Sequence, residues 1–444
     1  PDASAIELNI AESYQFNEDG TECTITLRKG IKYSDGEPLT SESFRFWWED
    51  LVLNKDAGYT EPYYTITRDA ATGDQVSMQV EVIDDYTFTC KFAAPHWLFF
   101  EIAGPISGGY FFHLAPAHYL KTLHPKYNTD VKDYALLQEK FPSTGQNIYC
   151  NIDLPVLTAW KTVEYVPGQR LVAERNPYYW KVDPDGKQLP YVDRWVFTQV
   201  ADTSVVPLRI VGGEVDFMAR NIPFDAFTEI KTAEDQGDYR MILWKVGEGG
   251  APMFIFEWGH KDPEIRTLFR TRDFKIAMSH ALDRETINQV VYLGQGTVSQ
   301  GVTSPYSPWG RTTEEGKALM EQWRNLAIEY DVAKANELLD SVGLDKKDAD
   351  GFRLLPSGKR LVLTVATSNP PESRAVDVME MAIEYWRAVG IDITLNTQEP
   401  AAMSERRATA DYDIDGWDAW SGYYIPTIPD TLYPVGSGYC GMRQ

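Results

Sequence analysis

The residues with the clearest chemical potential lie near the end of the chain. In YDIDGWDAWSGYYIPTIPD, Trp417, Trp420, Tyr423 and Tyr424 are interleaved with Gly, Ser, Asp and Pro at neither helical nor strand period. A loop of flat rings and small residues suits a concave site that holds a polar guest by stacking and hydrogen bonds. The plainer alternative is that the rings fasten the loop to its own domain. A second candidate is Glu257-Trp258 in MFIFEWGHKDP, where the strand-rich half of the chain meets the helical half. If that strand crosses between lobes, both side chains face the cleft. The candidate ligand contacts are therefore Trp417, Asp418, Trp420 and Tyr423, with Glu257 and Trp258 near a hinge.

Covalent chemistry finds little support. The sequence has no GxxxxGK[ST], GxSxG or HExxH, and no GxGxxG after a strand. His113 and His118 are separated by Pro116 and do not share a helical face, so no metal site is expected. The run DKKDADGFRLLPSG puts Asp350 and Gly351 at the fifth and sixth positions of an EF-hand loop. Lys346 and Ser357 then occupy ligand positions that need oxygen chelators, and a solvated turn is the better reading. With 65 acidic residues, no carboxylate pair singles itself out as a glycosidase couple. No catalytic residue and no cofactor is assigned, and a secreted glycoside hydrolase is kept only as an alternative.

Composition narrows the classes further. The 444 residues carry 42 Lys+Arg against 65 Asp+Glu, a net charge of −23, which disfavours nucleic acid and anionic bilayer surfaces as partners. No apolar run approaches the roughly 18 residues of a membrane span. Four cysteines are too few for a disulfide framework. Cys23 and Cys90 fall on the same strand faces as Ile25, Leu27 and Phe88 and read as buried free thiols, the alternative being a cross-strand bridge.

These residues need elements to hold them. SYQFNEDGTECTITLRKGIKYSDG predicts strands joined by Asp-Gly turns at 19–20 and 35–36. Thr40 is placed to cap a helix whose Phe44, Trp47, Trp48 and Leu51 share one face. VSMQVEVIDDYTFTCKF predicts a hairpin turning at Asp84-Asp85. Residues 1–165 read as one α+β unit. From 166 to 256 strands dominate (QRLVAERN, YVDRWVFTQV, EVDFMAR, YRMILWKV), with a short helix over 203–211 closed by Gly212-Gly213. Residues 257–444 read as an α/β lobe. There Asp283 and Asp331 cap helices, and RLVLTVAT, a helix through Trp386 and IDITLNT form a parallel βαβ unit. Trp47, Trp48 and Trp386 fit helix faces as core residues.

The motifs LRKGIKYSDGEPLTSESF (27–44), APAHYLKTLHPKYN (115–128), RNPYYWKVDPDGKQLPYVDR (175–194), GGEVDF (212–217), FKIAMSHALDRETINQVVYLGQG (274–296), YDVAKANELLDSVGL (330–344) and DADGFRLLPSGKRL (348–361) span nearly the whole chain. In their order and spacing the chain resembles the family 5 extracellular solute-binding proteins, the oligopeptide-binding type of receptor that feeds bacterial ABC importers. The resemblance implies a mixed α/β, two-lobed periplasmic-binding-protein type II fold with an extra subdomain on the first lobe. On that template 1–165 is the extra subdomain, 166–256 the lobe 1 sheet domain and 257–444 lobe 2. It implies a monomeric, non-catalytic receptor with an ABC permease as partner, in the periplasm or anchored outside the membrane as a lipoprotein. Pro1 follows no targeting signal and GSGYCGMRQ closes no element, so further sequence is expected at both ends, including a return to lobe 1. An oligopeptide is the first expectation for the ligand and an oligosaccharide the second. Peptide-binding members usually place, after a Gly-Trp like Gly416-Trp417, an Asp that pairs with the peptide's amino group. In a gapless match that position is Trp420, with Asp418 two residues earlier. Glu257 stands where relatives tend to have Asn, and Tyr33 replaces the more usual Phe or Trp.

Overall fold

A computed structural model describes residues 8–100, 115–142, 148–219, 222, 224–243, 252–300, 313–371 and 373–417. The chain divides into two compact units, Ala5–Met241 and the chain from Ile242 onward.

In the first unit the expected hairpins form. Strands β1 (Ala11–Phe16), β2 (Glu22–Leu27), β3 (Ile66–Arg68), β4 (Gln75–Ser77), β5 (Gln79–Asp84) and β6 (Thr87–Lys91) make a β3-β4 hairpin and a four-stranded antiparallel sheet ordered β1-β2-β6-β5. Period two sends Cys23, Ile25 and Leu27 of β2 into the core. Cys23 and Cys90 face each other on β2 and β6, buried and with free thiols, as the sequence suggested. Burial pushes the Cys23 thiol up to about 12 and raises Cys90 as well.

The aromatic helix departs from expectation in one respect. It opens as α-helix over Ser41–Arg45 but winds as a π-helix over Phe46–Val52, and Thr40 precedes it in extended conformation without a side-chain cap bond. Phe44, Trp47, Trp48 and Leu51 are buried as predicted, and the wider winding also turns Phe46 and Asp50 inward. Asp50 is held by Arg45 at 3.0 Å, Lys126 at 2.5 Å and the Tyr127 hydroxyl at 2.7 Å.

Strands β7 (Trp160–Val166), β8 (Arg170–Arg175) and β9 (Arg194–Thr198) follow as an antiparallel sheet, then the helix Val205–Val211, closed at Gly212-Gly213. EVDFMAR and YRMILWKV, expected as strands, form none within their described residues. Among the described residues no neighbouring strand offers them a hydrogen-bonding ladder, and β propensity without a partner does not make a strand. Val215, Met218, Tyr239 and Met241 instead pack against Val206, Ile210 and Ile230.

One local device occurs in both units. Isolated bridges join Lys32 to Pro38, Val182 to Gln188, Lys347 to Arg353 and Leu354 to Arg360, each around a glycine with positive φ: Gly36, Gly186, Gly351 and Gly358. The hydrogen bonds repeat as well. Tyr33, Asp183, Asp348 and Leu355 donate their N–H to Glu37, Lys187, Phe352 and Lys359. The Asp-Gly and Ser-Gly dipeptides supply the left-handed residue that this turn requires.

The second unit holds β10 (Met253–Phe256), β11 (Val362–Thr367), β12 (Asp392–Thr397) and β13 (Ile414–Trp417), ordered β10-β13-β11-β12. β11 pairs parallel with β12 through the helix Arg374–Ala388, as the βαβ reading required. β13 is parallel to β11 and antiparallel to β10. Asp283 and Asp331 cap their helices with Oδ1 on the N–H groups of Thr286 and Lys334. The core gathers Phe269, Phe274, Met278, Leu363, Val365, Met379, Ile393 and Ile414 around Trp386, whose Nε1 donates to the Met278 carbonyl at 2.8 Å.

Under this core Arg353 is buried (1% exposed). Its guanidinium donates to the carbonyls of Val389 and Leu344, to Asn336 Oδ1 and to Asp340 Oδ1. The fan ties the helix Val332–Leu339, the segment after it and the end of Arg374–Ala388 to one side chain. Arg353→Met is expected to cost roughly 3 kcal/mol, because buried carbonyls lose charged donors while half-exposed Asp340 is rehydrated. The midpoint of urea unfolding checks this, and an unchanged midpoint would refute it.

Candidate functional site

The strand registers decide which candidate residues can act together. β11, β12 and β13 are mutually parallel, so their carboxyl ends, Thr367, Thr397 and Trp417, lie on one edge of the second unit's sheet. In open α/β sheets ligands bind outside this carboxyl edge. β10 runs the other way: Met253 pairs with Trp417, and Phe256 with Ile414. Glu257 and Trp258 therefore leave β10 at the amino edge, about 13 Å from Trp417 at roughly 3.3 Å per residue. The structure separates them from Trp417.

Their surroundings at that edge are structural. Glu257 is fully buried, its N–H donates to the Asp413 carbonyl at 2.9 Å, and its Oε1 accepts the Gly259 N–H at 2.6 Å. Trp258 packs on the unit's core, Lys275 Nζ stands 4.4 Å from its ring centroid, and its carbonyl accepts from Arg270. Burial depresses the Lys275 pKa. Beside them His260 Nε2 meets Asp413 Oδ1 at 2.8 Å, while Asp413 Oδ2 accepts the Thr364 N–H at 2.8 Å. This clamp on the first turn out of β10 had no marker in the sequence except proximity to MFIF.

At the carboxyl edge the structure shows how the end of β13 is held. The Gly416 carbonyl accepts from two donors, Thr367 Oγ1 at 2.7 Å and Asn369 Nδ2 at 3.4 Å. Thr367 is fully buried, and its hydroxyl oxygen also accepts from Asn369 N and Nδ2 at 3.1 and 2.9 Å. A Cβ at Gly416 would meet Met379 Cε at 2.7 Å and Val365 Cγ1 at 3.0 Å, so a side chain there requires Met379 to move aside. Thr367 and Asn369 are the residues that sequence reasoning missed. Their signal was position, directly after a buried parallel strand. The backbone of Trp417 ends β13, while Asp418, Trp420 and Tyr423 lie outside the described residues. Tyr33, singled out by its departure from the family pattern, is a buried core residue whose hydroxyl donates to Ser43 Oγ at 2.9 Å and the Ala115 carbonyl at 3.3 Å.

Among the described residues no group of His, Cys, Asp and Glu is arranged to hold a metal ion, and no helix is long and apolar enough to cross a membrane. What the carboxyl edge shows among the described residues is a backbone held at Gly416 by side chains of the neighbouring strand exit.

The model of the bacterial extracellular solute-binding proteins, family 5, matches residues 5–439. The periplasmic alpha-galactoside-binding protein of Rhizobium meliloti (strain 1021) is 30% identical over 428 residues, covering 91% of this chain and 55% of that protein. Oligopeptide-binding protein AppA of Bacillus subtilis (strain 168) is 23% identical over 426 residues, 96% of this chain and 67% of that one. Among solved structures, an oligopeptide-binding protein OppA shares 31% identity with a TM-score of 0.72, covering 96% of this chain and 65% of its own. The periplasmic binding protein MelB of Agrobacterium fabrum C58, in complex with stachyose, shares 25% identity with a TM-score of 0.62, covering 96% and 62%. The chain thus spans a little over half the length of the alpha-galactoside-binding relative.

The His260–Asp413 contact gives a pH signature. Burial pulls the imidazole pKa down, but the hydrogen bond to Asp413 and the Asp262 carbonyl outweigh it, and the net shift is upward. A raised folded-state pKa means the stabilisation is complete below the unfolded value of about 6.5 and is lost as pH rises through the folded value. His260→Gln should therefore lower the urea midpoint most below about pH 6 and progressively less toward alkaline pH. A pH-independent difference would refute the assignment.

Proposed function

The chain belongs to the bacterial extracellular solute-binding proteins of family 5, and we propose that it is the ligand-capturing receptor of an ABC importer whose guest is an oligosaccharide held by the loop that follows Gly416-Trp417. The observation that carries the choice of ligand is Trp420. In a gapless match it falls at the position where peptide-binding members place the amine-pairing Asp, a ring in the sequence where a peptide needs an anion. Sugar faces stack on such rings, and their hydroxyls are satisfied by the small polar residues between them. The 30% identity to an alpha-galactoside-binding protein and the likeness to a stachyose-bound structure support this reading.

A second reading, an oligopeptide, has its own support in the likeness to OppA and in Asp418, which stands two residues before Trp420 and carries the needed charge. Both readings share the mechanism. Capture is noncovalent, and the guest leaves unaltered. A micromolar receptor needs about 8 kcal/mol in total, which a few stacked rings and hydrogen bonds supply. The receptor works outside the cytoplasmic membrane, free or lipid-anchored, and hands its guest to a permease.

Calorimetric titration with stachyose and with a nonapeptide separates the readings. Stoichiometric binding of stachyose without release of monosaccharide is expected. Binding of the peptide alone overturns the sugar reading, and turnover of the sugar overturns the receptor. Trp417→Ala is expected to weaken binding about tenfold or more through loss of a stacked ring. Wild-type affinity in that variant would end the assignment of Trp417.

A further inference from the structure

Asp415 is an unusual residue for its place. β13 has hydrogen-bonded neighbours on both sides, Ile255 of β10 and Ala366 of β11 standing opposite Asp415. Carboxylates are depleted in such central strands and are almost never fully buried unless paired. Asp415 is 0% exposed. Its partner is Arg407, near the end of the helix Pro400–Thr409. Arg407 Nε donates to Oδ2 at 2.6 Å and Nη2 to Oδ1 at 3.0 Å, and the arginine side chain is only 9% exposed. The preceding arginine, Arg406, ties the other side of the connection, its Nε donating to the Asp411 carbonyl at 2.6 Å.

Such a pair is a poor device for stability alone. Replacing a buried ion pair with packed apolar residues is often neutral or stabilising, because both charges give up their hydration. A two-pronged arginine–carboxylate contact offers direction as well as distance. Here it acts on the residue immediately before Gly416-Trp417, where the aromatic loop leaves the sheet. The Gly416 carbonyl is fixed from β11 by Thr367, and Asp415 is fixed from the preceding helix by Arg407, so β13 is held from two elements.

We propose that Arg407 and Asp415 are positioning residues for ligand binding, setting the register and height at which Trp417 and the loop after it meet the guest. The inference rests on the reading of that loop as the ligand-binding element. It requires no contact between either residue and the ligand.

The test separates positioning from stability. The double variant Arg407→Met/Asp415→Leu replaces the pair with apolar side chains of similar reach. It is expected to melt close to the wild type while binding stachyose, or the nonapeptide if that is the guest, at least about tenfold more weakly. A double variant that melts and binds as the wild type does overturns the proposal. Should the double variant not fold, Arg407→Lys keeps the charge without the fork. It is expected to fold and to bind measurably more weakly, and wild-type affinity in it overturns the proposal equally. If the wild type itself binds neither probe, the ligand reading fails and the positioning role falls with it. An affinity intact in the wild type and unmoved in the variants removes the positioning role alone.

Discussion

The register of β13 is the constraint on which the second unit turns. Its described residues, Ile414–Trp417, pair antiparallel with β10 and parallel with β11. A slip of one residue would exchange its two faces, carrying Ile414 out of its apolar cluster and Asp415 into it. Residue-specific contacts fix that register: Asp413 with His260 and Thr364, Gly416 with Thr367. The two edges of the sheet thereby take different duties. The amino edge is closed by buried and charged contacts, and the carboxyl edge is held by the hydroxyl of Thr367 on the Gly416 carbonyl.

Much of this was legible in the sequence, for identifiable reasons. Asp-Gly turns, helix-capping aspartates and the 3.6-residue stripes of Met379, Ala382, Ile383 and Trp386 are local signals. The structure reproduces them. The core tryptophans were readable on the same ground. What failed was non-local. EVDFMAR and YRMILWKV carry strand propensity but have no partner strand among the described residues, and no pattern within a segment announces which neighbour it will meet. The π-winding over Phe46–Val52 was likewise invisible, since the aromatic stripe satisfies an ordinary helix equally well.

The candidate site shows the same division. Ring content and aperiodic spacing mark out the sequence after Gly416, and β13 runs toward the carboxyl edge of the parallel strands, where open α/β sheets present ligands. Glu257 and Trp258 were drawn toward it because they follow a strand near a change of periodicity. Only the antiparallel pairing of Met253 with Trp417 shows that such residues emerge at the far edge. Thr367 and Asn369 were overlooked for the complementary reason, since a Thr and an Asn after a buried strand look like any strand exit until a carbonyl is found between them.

The recurrent glycine turns bear on how the chain reaches this state. Each closes within seven residues, and hairpins of that kind form in about 1–10 μs. They are independent, early nuclei in both units. The contacts that secure β13 wait far longer in sequence terms, for His260 and Asp413 are 153 residues apart. Loop closure over such spans is the slow class of folding event, with apolar strands uncovered meanwhile. The second unit's sheet therefore closes contacts of long sequence separation, the kind that form late relative to the local glycine turns.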